Sequence, residues 1–254
     1  MISLPESFLN IPLAHRALHD VTDGRPENSR AAIQAAIKAG YGIEIDVQLS
    51  FDGAAMVFHD DVLDRLTDET GAVRLRPASQ LREIGLSGGA EGIPDLPEIL
   101  ELVSGRVPLL IEIKDQDGAM GDAVGALETA VAQALTGYEG PVGVMSFNPH
   151  SVALMADIRS DVARGLVTSS YDPDGWGLPE EICANLRAIS DYDRVGASFI
   201  SHELSDLGRD RVRELKANGA DILSWTIKSE AQEDEARKIA QGITFEGYLA
   251  KFPA

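Results

Sequence analysis

Gly42-Ile43-Glu44-Ile45-Asp46-Val47 and Leu110-Ile111-Glu112-Ile113-Lys114 carry one pattern, aliphatic residues alternating with charged ones. A period of two is that of an extended strand. It sends Glu44 and Asp46 to one face and Ile43, Ile45 and Val47 to the other. Like charges side by side on an inward face are costly unless a cation sits between them or one takes a proton. Each segment therefore predicts a strand that packs its aliphatic face against helices and turns its charged face toward a shared interior.

Working outward, strand-like and helix-like runs alternate along the chain. A first apolar run, Ile11 to Ala14, ends at His15. Asn28 occupies an N-cap position before Ala31, Ile33, Ala36 and Ile37, and Gly40 is placed to stop that helix. After the strand Gly42 to Leu49, the Asp52-Gly53 turn leads into Ala54 to Phe58, a spacing tight enough for a hairpin. Residues 60–94 lose the pattern and read as an insertion or elaborated loop.

Alternation resumes with a helix after Asp95 and a strand at Pro108 to Lys114. Helices then follow at Met120 to Leu135, Ser151 to Arg159, Pro179 to Ile189, Asp210 to Ala217 and Glu230 to Ala240. The strands between and after them are Val142 to Phe147, Ala163 to Thr168, Val195 to Ile200, Asp221 to Ile227 and Ile243 to Leu249. With the hairpin strand set aside, about eight strands alternate with helices, which predicts an α/β protein of the (β/α)8 TIM-barrel type over residues 1–254 as a single domain. No Gly-x-Gly-x-x-Gly follows the first strand, which removes the main support for a dinucleotide fold.

A length of 254 residues suits such a barrel. The net charge of −19, from 41 acidic and 22 basic residues, would repel nucleic acid and anionic lipid surfaces, so neither is expected as a partner. An anionic substrate would then need local cations or a metal to reverse the sign. Cys183 is the lone cysteine, so no intramolecular disulfide is possible. The segment Met1 to Asn10 lacks the basic-then-apolar pattern of a signal peptide, and no apolar run approaches a membrane span, so a cytoplasmic location is expected.

The candidate chemistry clusters at the C-terminal ends of the predicted strands, where barrel enzymes keep their sites. Glu44, Asp46 and Glu112 would form an oxygen-only cage suited to Mg²⁺ or Ca²⁺, with Lys114 beside it. The competing reading is a set of buried salt bridges, for instance Lys114 with one carboxylate. His15 and His59 fall at the same face, where one imidazole can act as base and the other as acid. Zinc ligation by them matches no standard spacing. Arg16 offers a forked donor for phosphate, while His19, His150 and His202 read as structural or solvent-exposed.

The chain resembles the glycerophosphodiester phosphodiesterase family. The stretches that carry the likeness are Ala14-His15-Arg16, Pro26-Glu27-Asn28-Ser29, Ile43-Glu44-Ile45-Asp46-Val47, Asp52-Gly53, Phe58-His59-Asp60, Asp64-Arg65-Leu66-Thr67, Ile111-Glu112-Ile113-Lys114 and Ser146-Phe147-Asn148-Pro149. The resemblance implies a barrel with a small insertion after the second strand and hydrolysis of glycerophosphodiesters to glycerol phosphate and an alcohol. It implies Glu44, Asp46 and Glu112 as metal ligands, His15 and His59 as the acid–base pair, and Arg16 and Lys114 as phosphate contacts. It also implies Trp225 beside the substrate, where core packing is the alternative.

The sequence departs from the family at Ala17, where glycine is usual and where alanine disfavours positive φ. It departs again at the last strand, Glu246-Gly247-Tyr248-Leu249-Ala250-Lys251, in place of the family's Thr-Asp ending. Two rival readings stand beside the expected one. A lysophospholipase D-like or sphingomyelinase D-like enzyme would want an exposed apolar rim and attraction to membranes, against which the charge argues. A non-catalytic barrel binding a phosphorylated ligand would lack some of the acids and histidines, all of which are present here.

Overall fold

The computed structural model describes residues 2–253. Its strands are β1 (Leu13–Ala14), β2 (Gly42–Leu49), β3 (Ala55–Val57), β4 (Leu109–Ile113), β5 (Val142–Ser146), β6 (Ala163–Thr168), β7 (Phe199–Glu203), β8 (Asp221–Ile227) and β9 (Gly242–Phe245). The hydrogen-bonded order is β1-β9-β8-β7-β6-β5-β4-β2-β3, and an additional β1–β2 pairing closes the ring. Eight strands pair in parallel around a closed barrel, and β3 lies outside it, antiparallel to β2. The expected TIM barrel is the observed fold.

The alternation read from the sequence is what divides the core in two. Ile43, Ile45, Val47, Leu109, Ile111 and Ile113 belong to the outer cluster between strands and helices. The intervening residues turn inward, and Leu110, Met145, Val167, Phe199 and Leu223 form a separate interior cluster. Phe8, on a helical turn at Ser7–Asn10, joins that cluster and is fully buried, so the N-terminal segment plugs the lower end of the barrel. A plugged, apolar floor leaves the upper end as the place where inward polar side chains can meet a ligand.

Several expected boundaries shift, each for a local reason. Ser29, not Asn28, caps the helix Arg30–Ala39, its hydroxyl accepting from the Ala32 amide. Asn28 sits at φ 57 and spends its side chain on Asp46 instead. The helix expected from Met120 begins at Ala126, because Asp115 and Asp117 hold the preceding backbone in turns by accepting its amides. The sixth barrel strand, β7, runs Phe199–Glu203, after the turn at Val195 and Gly196, and not Val195 to Ile200. The last helix ends at Ala236 and the last strand at Phe245, which leaves Glu246 just beyond the sheet. Residues 60–94 pack Leu63, Val73, Leu81 and Ile93 into a small separate core with Met56 and Phe58 of the preceding segment.

The interior is filled by pairing large residues with glycine. A Cβ placed on Gly165 would lie 2.4 Å from the Phe199 ring. Gly165→Ala should therefore cost about 1–3 kcal/mol by overpacking, read as a lower midpoint in urea denaturation with an unchanged slope. A midpoint equal to wild type would show slack in this layer that the contacts do not suggest.

Candidate active site

Three inward acids from two adjacent strands define the site. Asp46 and Glu112 are direct neighbours in the β2–β4 register, and Glu44 lies two residues below Asp46 on the same face. Glu44, Asp46 and Glu112 are all buried, and one carboxylate oxygen from each lies within 4.8 Å of the others. Among the described residues this is the one such group of acids, histidines or cysteines close enough to hold an ion.

The salt-bridge alternative is met for two of these acids, and the third stands apart from it. The Lys114 ammonium lies 2.7 Å from Asp46 Oδ1 and 2.6 Å from Glu112 Oε1, a buried salt bridge of the kind the alternative proposed. Asp46 Oδ2 also accepts from the Asn28 amide at 2.9 Å, and Arg16 Nε stands 3.7 Å away. Glu44 Oε2 accepts the Arg16 backbone N–H at 2.9 Å, whereas Glu44 Oε1 is buried with no hydrogen-bond partner. Lys114 thus neutralises one charge and leaves an orphaned carboxylate oxygen facing the other two acids.

The electrostatics follow from that asymmetry. Burial, reinforced by Asp46 and then Glu112, pushes Glu44 well above the usual carboxylate range. Burial works against ionised Asp46 as well, but Lys114, His59 and Arg16 overcome it and hold the group below its usual range. Lys114 is likewise kept protonated by Asp46 and Glu112 despite its burial. A buried carboxyl group whose ionised form lacks compensation, set among oxygen ligands alone, is one that a hard divalent cation would hold ionised. Oxygens that all lie within 4.8 Å of one another are close enough to share one ion at the roughly 2.0–2.6 Å distances of Mg²⁺ or Ca²⁺.

The two histidines lie at the same end of the barrel as the acids, each with Nδ1 occupied. His59 Nδ1 lies 2.6 Å from Asp60 Oδ1, and His15 Nδ1 lies 2.6 Å from Glu246 Oε2. Asp60 is gripped by Arg65, which also forks onto Glu27, and Glu27 in turn accepts from Arg16 at 2.8 Å. Asp60 is lowered to about 2: the Arg65 and His59 hydrogen bonds outweigh its desolvation. Burial lowers His59 from its ordinary value, with Lys114 and Arg16 acting in the same direction, and so favours the neutral imidazole.

A cavity of about 280 Å³ opens at this end of the barrel. It is lined by His15, Arg16, Glu44, His59, Glu112 and Lys114, with Phe147 and Trp225 on another wall. Asp46 lies just beneath Lys114. Trp225 is at once packed and facing the cavity, its indole N–H donating to the Ser201 carbonyl and its ring set edge-on to Phe147 at 5.7 Å. Ala17 keeps a left-handed φ of 66 despite its Cβ, as does Arg16 at φ 53, and this turn aims the Arg16 N–H at Glu44. His202 is buried against Thr168 and Asp206, a structural role.

The sequence reading overlooked four supporting residues. Glu27, Asn28 and Asp60 lay inside motifs already quoted, and Asp60 carried a usable signal as the acid directly after His59. Glu246 carried none, because it meets His15 across 231 residues of chain.

A family model described as the glycerophosphoryl diester phosphodiesterase family matches residues 15–244. A glycerophosphodiester phosphodiesterase from Bacillus altitudinis is 32% identical over 216 residues, covering 82% of this chain and 83% of that protein. One from Caldanaerobacter subterraneus is 28% identical, with 86% of each covered. Among solved structures, a phosphodiesterase from Oleispira antarctica, determined with its product sn-glycerol-3-phosphate, superposes with a TM-score of 0.78. It is 25% identical and 94% of each chain is covered.

The orphaned Glu44 charge makes a prediction about stability. Glu44→Gln removes the buried repulsion, so the metal-free variant should melt above metal-free wild type at neutral pH. It should also lose most of the rise in melting temperature that Mg²⁺ or Ca²⁺ gives the wild type. Differential scanning calorimetry with and without cation decides it; an equal cation-induced shift in both proteins would remove Glu44 from the ligand set.

Proposed function

The chain belongs to the glycerophosphoryl diester phosphodiesterase family, an enzyme family of phosphoric diester hydrolases, and from that premise we propose how its site works. The substrate is a glycerophosphodiester, cleaved to glycerol phosphate and an alcohol. Glu44, Asp46 and Glu112 hold a divalent cation, Mg²⁺ or Ca²⁺, and His15 and His59 carry the protons. The observation that supports this most is the single cavity onto which both imidazoles, the acids and the two cationic side chains converge. The bound product of the Oleispira antarctica structure supports the same substrate class.

The cation, when bound, supplies a concentrated positive charge against the non-bridging phosphoryl oxygens. Arg16 adds its guanidinium to the same phosphate; its charge persists through burial because Asp46, Glu27 and Glu44 surround it. Lys114, already protonated between Asp46 and Glu112, stands ready to offset charge that grows as the phosphorus becomes five-coordinate. The Phe147–Trp225 wall gives the non-reacting part of the substrate an apolar surface and keeps water from that side.

Proton transfer then needs two carriers. One imidazole takes the proton of the attacking oxygen, from water or from the neighbouring glycerol hydroxyl, as the new P–O bond forms. The other delivers a proton to the alcohol oxygen as the old P–O bond breaks, so charge and atoms balance. With Nδ1 of each ring already engaged, Nε2 is the position through which each exchanges. General acid–base catalysis is worth about 10²–10⁴ in rate, and the fixed charges of the cage supply much of the remainder.

His15→Ala and His59→Ala should each lower kcat on glycerophosphocholine by about 10²–10⁴-fold with melting temperatures near wild type. Chelation should abolish release of glycerol phosphate, and added Mg²⁺ or Ca²⁺ should restore it. Near-normal turnover in either variant, or full activity after chelation, would sink the corresponding part of the mechanism.

A further inference from the structure

Closure of the barrel brings together two residues from opposite ends of the chain. In the β1–β9 pairing Leu13 faces Thr244 and Ala14 faces Phe245, and the His15 amide then donates to the Phe245 carbonyl at 2.9 Å. The residues just beyond the two strands, His15 and Glu246, are thereby held at one level. Their side chains meet at 2.6 Å. The Glu246 amide donates to the Ile227 carbonyl at 2.9 Å, which fixes the backbone that carries the carboxylate.

From this geometry we infer that Glu246 is a positioning residue for His15, clamped in turn by Lys228, and that it confines the exchangeable proton of the ring to Nε2. The inference rests on the proposed role of His15 as a proton carrier. An ionised carboxylate only accepts hydrogen bonds. Facing Glu246 Oε2, His15 Nδ1 must therefore keep its hydrogen whether the ring is neutral or charged, and all gain and loss falls on Nε2. The other carboxylate oxygen, Oε1, is engaged by Lys228 Nζ at 2.7 Å, which favours the orientation that leaves Oε2 on His15. The His15 hydrogen bond, with the His19 ring 3.9 Å away and the Lys228 ammonium at the other oxygen, keeps Glu246 far below the ordinary carboxylate range, so it remains an acceptor throughout the working pH range.

Glu246 and Lys228 both line the cavity wall, Lys228 at its rim and largely exposed, and neither packs in the hydrophobic clusters of the fold. A structural role would thus predict little change on an isosteric substitution. A positioning role predicts a specific loss, since a carboxamide can present either its oxygen or its NH₂ to Nδ1 and so admits the wrong tautomer. In serine hydrolases, the amide substitution of the carboxylate that orients the catalytic histidine costs about 10⁴ in kcat.

The experiment combines Glu246→Gln, Glu246→Asp and the double variant His15→Ala/Glu246→Gln, each assayed on glycerophosphocholine with saturating Mg²⁺ or Ca²⁺. Expected for Glu246→Gln is a fall in kcat of about 10²–10⁴-fold with KM little changed. Glu246→Asp, which keeps the charge, should recover part of that loss. In the His15→Ala background Glu246→Gln should add nothing, because its effect runs through the ring. Nitrogen-15 NMR of the His15 ring reads the tautomer without reference to turnover: Nδ1–H in wild type, and a mixture or the Nε2–H form in Glu246→Gln. A Glu246→Gln protein with near-normal kcat and an unchanged Nδ1–H ring overturns this inference while leaving the mechanism intact, provided His15→Ala is inactive. An active His15→Ala strikes instead at the mechanism beneath it.

Discussion

Three carboxylates compressed into the mouth of a barrel are the constraint around which the rest of the site is arranged. Glu44, Asp46 and Glu112 are each almost fully removed from water, and their mutual repulsion would be intolerable without compensation. Lys114 bridges two of them, Asn28 and the Arg16 amide satisfy further oxygens, and one oxygen of Glu44 is left over. That remainder distinguishes this cluster from a closed structural salt bridge. A protein that needed only stability would gain by replacing such a group with apolar side chains of similar volume.

The compensation spreads outward as a chain of alternating charge. Asp46 lies near Arg16, Arg16 bonds Glu27, Glu27 bonds Arg65, Arg65 bonds Asp60 and Asp60 bonds His59. A second, shorter chain runs from Lys228 through Glu246 to His15. Both end on an imidazole Nδ1. The overall charge of −19 makes local order of this kind necessary, because an anionic diester approaching the barrel meets a repulsive field except where Arg16 and Lys114 line the cavity. Each histidine is held by groups that are themselves held, which is how a site can be preorganised on loops of otherwise different length.

Much of this was legible from local pattern. The period-two alternation at Gly42 to Val47 and Leu110 to Lys114 placed the inward acids correctly because side-chain direction in a strand is a local property. The strand count survived because boundary errors of a few residues do not alter alternation. Where the reading slipped, tertiary contacts had overridden local preference. Asn28 is a good N-cap by propensity but is drawn to Asp46, leaving Ser29 to cap the helix. Before Ala126 the cause is local instead: Gly121 and Gly125 weaken the helix, and Asp115 and Asp117 capture the amides that follow them. Alanine at position 17 takes the left-handed conformation that its side chain disfavours, because the turn delivers an amide to Glu44.

The sequence by itself determined that the chain alternates strand and helix around a parallel barrel, that acids on two inner strands share its interior, and that His15, Arg16 and His59 sit at strand ends on the same side. These follow from periodicity and strand-end position, which neighbouring residues encode. Only the tertiary structure decided that Lys114 takes one unit of the cage's charge and leaves Glu44 unpaired, and that Glu246 lies against His15. Those facts depend on register between strands and on the closure of β1 onto β9, distances set by the folded barrel and written in no contiguous stretch of the chain.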